Sequence, residues 1–521
     1  MSKWVARLLI GLAFVMQMLV VIPSGSRYCN TNGSCGDYYW GAHEHDGIWH
    51  LALAKTAFQK WPPQMPTYAK ENLTGYNWLL DYPIYILSKV GIDAKISYFK
   101  IFPLIWFGLM IWSWSKFAKA YNQEERYFSW LILLLFFGNS FSFIFSLLNN
   151  GNWDGGSGLL AMQSPQMLTN IQFAYTIPLI ALTGVVLLRA KNRKWDDLIL
   201  ATLIFIGMGL KFYGGSILLA WVIIHSLLNK NWIRVGYSVV GFVAATLLFY
   251  QPSAGSSSAI FAFKPLATVF PIVEEKALFY LAKIAEMRYA VGEWAWIKEI
   301  FAGLVALVVF AVFNFGIRLV GISEIKRANL FEKSIFLTIA VAVGANVLLV
   351  QRGEWWNTVQ FLYYAFILLS ILAAKYLTKI RSILLTVIIA LLLMPNAVDT
   401  VRIFGSRNPS TVIYDSEIEI LHTLEKQPDG VVLALPLKES AYVSAYSGKV
   451  VYLSDKVQAR LVGIDYIERE ALISGLDCRI MSDVSYVYLS GDKGQIDNWL
   501  RCPKVFDRIA GNEMAELYRV R

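Results

Sequence analysis

The sequence predicts an α-helical polytopic membrane protein with a small α/β domain after its last span. Three observations carry that prediction. Hydrophobic residues make up 56% of the 521-residue chain and charged residues only 16%. Mean hydropathy is +0.48, well outside the range of soluble domains. Several runs with few or no charges approach or exceed the ~18 residues that cross a bilayer. From Asn396 onward those runs stop, charges become frequent, and short β-rich segments alternate with helix-like ones.

The formal net charge of +10 would point to nucleic acid only if the basic residues gathered on one surface. They scatter between apolar runs instead, as topology signals. Eighteen Trp and 27 Tyr suit anchoring at membrane interfaces.

Taken in order, Met1–Pro23 has Lys3 and Arg7 before an apolar stretch, like a signal peptide. The uninterrupted run to Ile22 is long for one, so a retained first span is expected. The candidate spans are Val5–Ile22, Ser97–Phe117, Tyr127–Leu148, Ile171–Leu188, Leu198–Leu210, Gly215–Leu228, Val235–Tyr250, Ile300–Ile317, Ser334–Val350, Thr358–Ala374 and Ile383–Met394, about eleven transmembrane helices. Trp78–Val90 is short and contains Pro83, so it reads as a re-entrant or interfacial helix. Gln251–Lys298 mixes acids, bases and aromatics as a surface-lying segment would.

Basic groups such as Lys116/Lys119/Arg126, Arg189/Lys191/Arg193/Lys194 and Lys375/Lys379/Arg381 fall on alternate ends of the spans. The positive-inside rule then puts the N-terminus in the cytoplasm and the C-terminal domain outside, with the plasma membrane as the expected location. All four cysteines, Cys29, Cys35, Cys478 and Cys502, fall on the outer side. An even set on the oxidising side predicts the disulfides Cys29–Cys35 and Cys478–Cys502. The expected organisation is a transmembrane domain over 1–395, with a long first outer loop at 23–96, and an extracytoplasmic α/β domain over 396–521. Its strands are expected at Val431–Leu435, Val450–Leu453 and Val484–Leu489, with helices at Ser416–Lys426, Ile464–Ser474 and Ile496–Arg501.

The densest chemistry lies in the first outer loop, at His43-Glu44-His45-Asp46-Gly47-Ile48-Trp49-His50. In a helix His43, Asp46 and His50 would share one face. Further on, Trp61-Pro62-Pro63 breaks the chain direction, and Asp81-Tyr82-Pro83 leads back toward the membrane. The 149–172 loop carries Asp154 beside Trp153. Arg352, in Gln351-Arg352-Gly353-Glu354, and Lys211 sit at outer span ends, where a cation either meets a phosphate or snorkels.

A first span, a long outer loop with an acidic pair near its start and an Asp-Tyr-Pro return, many further spans and an outer C-terminal domain together resemble the GT-C superfamily of polyprenyl-phosphate-sugar-dependent glycosyltransferases. Protein O-mannosyltransferases and bacterial aminoarabinose transferases look closest. The resemblance covers roughly residues 1–395. It implies transfer of a sugar from a polyprenyl-phosphate donor to a glycan, lipid or protein acceptor at the outer face. It places Asp46 where those enzymes carry the first acid of an Asp-Glu pair, and Asp81-Tyr82-Pro83 where a Tyr-Pro-Pro-like element closes the loop. This chain departs from the pattern at Gly47, which stands where the second acid would be, so Glu44 and Asp154 are the candidates for that role.

The chemistry asks for a base to take the acceptor proton as C1 becomes cation-like, and Asp46 is the candidate. His45 or His50 would orient it or share its proton. Arg352 and Lys211 would meet the donor phosphate, with Glu354, Asp81 and Tyr82 also in the substrate site. No cofactor is required, though some GT-C relatives use a divalent cation. His43, His45, Asp46 and His50 are all competent ligands without a structural-zinc spacing. The rival classes are a membrane transporter, a lipid-glycan flippase and a glycan polymerase. Transporters place ionisable groups near the midplane on broken helices, whereas here the acids cluster in outer loops.

Overall fold

The computed structural model describes residues 3–521 except 139, 152–166, 190–193, 251–260, 275–279, 352–356, 407, 492–498 and 500. The chain forms two compact units. The first comprises Met1–Val20, Leu104–Thr246 and Ala259–Gly405. The second gathers Val21–Pro103 and Ser406–Arg521, with a short stretch beginning at Leu247.

The first unit is helical. Among the described residues of the whole chain, eight helices are long and apolar enough to cross a membrane: Trp4–Val21, Ala94–Tyr121, Ile171–Arg189, Trp232–Phe249, Ala295–Arg327, Leu330–Leu348, Val359–Leu377 and Ile383–Phe404. This is a multi-pass membrane protein. Three of the eleven expected spans are not among these eight helices. Lys194–Leu210 and Phe212–Leu228 have 17 residues each. The expected span Tyr127–Leu148 is two helices, Glu125–Phe136 and Ser142–Asn150. Twelve residues rise about 18 Å, short of the ~30 Å hydrocarbon core.

The break falls at Gly138, where an added Cβ would lie 2.2 Å from the Leu134 carbonyl oxygen. The carbonyls left open there need donors. The buried Arg318 guanidinium supplies them, Nη2 reaching Leu134 O at 3.1 Å and Gly138 O at 2.7 Å. Sequence periodicity carries no sign of a cation arriving from a helix 180 residues downstream.

Among the described residues of this unit several buried charges are paired, as the low dielectric favours. Asp197 and Arg234 meet at 2.7 Å, Glu332 binds Lys375 at 2.5 Å, and Glu324 binds Lys379. Strands β3 (Phe261–Phe263) and β4 (Leu349–Gln351) make a short antiparallel pair.

The second unit is mixed. Its core is the helix Asp46–Thr56, whose residues Gly47 through Ala54 are all buried. A helix apolar on every side belongs inside a domain. Ile48, Trp49, Leu51 and Leu53 are at most 2% exposed, each contributing about 1.5–3 kcal/mol of burial. The helix tightens into a 3₁₀ turn at Ala57–Gln59 and ends before Pro62, whose ring cannot continue it.

Around that helix, β1 (Ser26–Cys29) pairs antiparallel with β2 (Cys35–Tyr39), which pairs with β5 (Thr411–Tyr414). A second sheet runs in the order β6 (Val432–Leu435), β7 (Tyr486–Ser490), β9 (Ala515–Val520), β8 (Phe506–Gly511). Strands β6 and β7 are parallel, β9 pairs antiparallel with β7, and β8 pairs antiparallel with β9. That hairpin was not anticipated, because its alternation is diluted by Asp507, Arg508, Glu516 and Arg519.

The expected strand at Val450–Leu453 pairs with β6 through one bridge, Val432 to Val451. Its other edge is held by the proline-rich stretch, with Val451 N–H donating to Pro66 O at 2.9 Å. The expected helix at Ile464–Ser474 starts at Ile467, and the one at Ile496–Arg501 lies largely outside the described residues. Both disulfides form as expected, Cys29–Cys35 and Cys478–Cys502.

Candidate active site

The His43–His50 cluster straddles a change in helix type. Gly41–Glu44 is a 3₁₀ turn and the α-helix begins at Asp46. That break turns the three histidines to different partners. His43 is fully buried, with Nδ1 2.7 Å from Ser24 Oγ and its ring edge-on to Phe99. His45 is part-exposed, with Nε2 3.0 Å from Asp455 Oδ1 and Nδ1 3.5 Å from Asp46 Oδ1. His50 is buried, with Nδ1 3.0 and 3.1 Å from the two Asp81 oxygens. Its ring stacks on Tyr98, and Nε2 lies 3.5 Å from Tyr76 Oη.

The suggested metal set of His43, His45, Asp46 and His50 is therefore corrected. Ser24 and Asp81 draw His43 and His50 apart, and both His45 nitrogens face carboxylates. Among the described residues no three His, Cys, Asp or Glu side chains are grouped to hold an ion.

Gly47 has a steric cause. A Cβ there would lie 2.9 Å from Phe99 Cζ and 3.3 Å from His43 Cβ. A glutamate at that position would require the Phe99 ring to shift. Glu44 is spent on Thr411, whose hydroxyl donates to it at 3.0 Å. Asp154 lies outside the described residues.

The acid that reaches the cluster is Asp455, which the sequence reading passed over. It is fully buried and sits at φ 47°, ψ 64°, capping the helix Lys456–Leu461 by accepting from Gln458 N–H at 3.2 Å. Its Oδ2 has no hydrogen-bond partner among the described residues. A left-handed, non-glycine residue carries roughly 1–2 kcal/mol of strain. The available signal was positional, since an acid directly after a β-rich run stands at the carboxyl end of a strand, where α/β folds place ligand-facing groups.

Electrostatics follow from this geometry. Burial disfavours a charged His45 and is the largest single influence. The hydrogen bonds to Asp455 and Asp46, with the attraction of both charges, outweigh it and raise His45 from 6.5 to about 10. Burial pushes the Asp455 carboxyl up, against the pull of His45. Burial, reinforced by the charges of Asp46 and Asp81, lifts Tyr76 well above the usual phenol value.

Asp46 itself keeps 40% of its side chain exposed, open to a reactant at the head of a rigid helix. Asp81 is buried against His50, and Tyr82 is exposed on the helix Asp81–Lys89. Lys211 is a buried residue at the start of Phe212–Leu228, in the first unit. Arg352 and Glu354 lie outside the described residues.

No protein-family model and no curated protein sequence matches the chain. Solved structures do. The Archaeoglobus fulgidus oligosaccharyltransferase, tethered with an acceptor peptide containing the NVT sequon, aligns at TM-score 0.50 and 11% identity over 94% of this chain and 69% of that one. The same archaeal protein with an inhibitory peptide and a dolichol-phosphate aligns at TM-score 0.49 and 11% identity, over 94% and 69%. ArnT from Cupriavidus metallidurans aligns at TM-score 0.41 and 9% identity, over 98% and 97%. The likeness at TM-score 0.50 shows the fold alone: the chain has a GT-C fold.

Proposed function

We propose that the chain is an integral-membrane glycosyltransferase that moves a sugar from a polyprenyl phosphate to a hydroxyl-bearing acceptor, with Asp46 as general base. The observation that carries the reading is one part-exposed carboxylate at the head of a buried helix, oriented by a histidine that a second, buried carboxylate holds. The solved relatives with an acceptor peptide and a dolichol-phosphate support lipid-phosphate sugar as the donor class. The acceptor is a glycan, lipid or protein.

In this reading the acceptor oxygen attacks C1 while the bond from C1 to the phosphate oxygen breaks. The acceptor proton passes to the Asp46 carboxylate, and the polyprenyl phosphate leaves with the bonding pair. General base catalysis of this kind contributes about 10²–10⁴-fold. Lys211 and Arg352 are the proposed contacts for the leaving phosphate, whose charge grows as the bond breaks, with Glu354 and Tyr82 in the substrate site. Asp154 remains the candidate for a further acid. We place the reaction at the outer face of the plasma membrane, with the N-terminus cytoplasmic, on the alternation of basic groups.

The test is a transfer assay on purified protein in lipid, using labelled polyprenyl-phosphate sugars. Asp46→Asn should lower turnover at least ~10²-fold. Full activity in that variant removes Asp46 as base, and no turnover of the wild type with any donor removes the transferase reading.

A further inference from the structure

We infer that Asp455 is a positioning residue for the Asp46 carboxylate, acting through His45 held as a standing imidazolium between the two acids. The inference rests on the transferase reading for its catalytic meaning, though not for its geometry.

His45 has a carboxylate oxygen at each ring nitrogen, Asp455 Oδ1 at Nε2 and Asp46 Oδ1 at Nδ1. Ionised carboxylates only accept, and a neutral imidazole donates from one nitrogen alone. Satisfying both therefore requires both ring protons, which is the cation. The raised His45 value of about 10 agrees. A histidine in that state does not take the acceptor proton. It donates to Asp46, turns the carboxylate and keeps positive charge beside it while a proton arrives.

Asp455 is an expensive way to cap a helix of six residues. It adopts left-handed backbone, is fully buried and leaves Oδ2 without a hydrogen-bond partner among the described residues. Glycine would tolerate that backbone with less strain, and asparagine caps as well as aspartate. Only a carboxylate adds a negative charge facing His45. The residue is also held rigidly, its N–H donating to Lys438 O at 2.9 Å. Lys438 follows β6, and Asp455 follows the Val450–Leu453 segment bridged in parallel to it, so both loops leave the carboxyl ends of neighbouring strands. The charged and titratable groups around the ring are Asp46 on its own helix and Asp455 from the C-terminal segment, with Tyr76 beyond Asp46.

The test is a histidine titration by NMR on the full-length protein in lipid nanodiscs, with ¹³C-labelled imidazoles. The His45 signal is assigned by its loss in His45→Gln. In the wild type it should stay protonated from pH 5 to 9. In Asp455→Asn its midpoint should fall by about two units or more, while the other four histidine signals report an intact fold. In the transfer assay, Asp455→Asn should approach wild-type turnover near pH 5.5 and lose about tenfold by pH 9, and Asp455→Glu should recover part of that loss. A wild-type His45 midpoint near 6.5, or one unmoved by Asp455→Asn, overturns the inference. So does an Asp455→Asn loss that is uniform across pH. Full activity of Asp46→Asn would instead remove Asp46 as base and leave the titration result standing, whereas no turnover of the wild type with any donor would remove the transferase reading.

Discussion

His50 and Asp81 lie 31 positions apart and meet with both side chains buried, the histidine Nδ1 3.0 and 3.1 Å from the two carboxylate oxygens. The contact ties the core helix Asp46–Thr56 to the helix Asp81–Lys89 in a region from which water is excluded. Asp81→Ala would leave the ring without that partner and open a gap beside Tyr98. The expected cost is about 3 kcal/mol, seen as a lower midpoint for the second unit in a thermal melt. An unchanged midpoint would show that the pair contributes nothing net.

Gly47 and Phe99 give a second, steric expectation. The added methyl of Gly47→Ala would lie 2.9 Å from the Phe99 ring, closer than side-chain carbons approach. Overpacking of this kind costs about 1–3 kcal/mol. Phe99→Leu in the same chain should return part of it. A melt of the single and double variants separates this from loss of glycine flexibility, which Phe99→Leu would not repair.

Stability should also depend on pH through His45. Its folded value is raised from 6.5 to about 10 by Asp455 and Asp46, against burial. A raised value means that the folded state binds the proton more tightly. The stabilisation is therefore complete below about 6.5 and is lost as pH rises toward 10. Melts of wild type and His45→Gln at pH 6 and pH 9.5 should show a larger fall in the wild type. Equal falls would mean that His45 is not held charged by its partners.

Much of the architecture was legible in order along the chain. Hydropathy found a multi-pass protein with a change of character near residue 396, and all four cysteines pair as their placement suggested. A helix through Asp46 and His50 does form, but it starts at Asp46, so His43 lies outside it. Apolar composition does not register a break such as the one at Gly138 within the expected span Tyr127–Leu148, where a distant guanidinium supplies the missing donors.

The candidate site was legible only in part. The sequence by itself determined where the titratable groups are dense and that Gly47 departs from an acidic pair, but not that the α-helix begins only at Asp46. It did not reveal that Phe99 crowds any side chain at Gly47, that His43 turns to Ser24, or that Asp455, 410 positions from His45, completes the cluster. Those facts depend on which segments pack together, and the tertiary structure alone decides that. Local periodicity reports a residue's own helix or strand, while the charge state of His45 is set by a carboxylate brought from the other end of the chain.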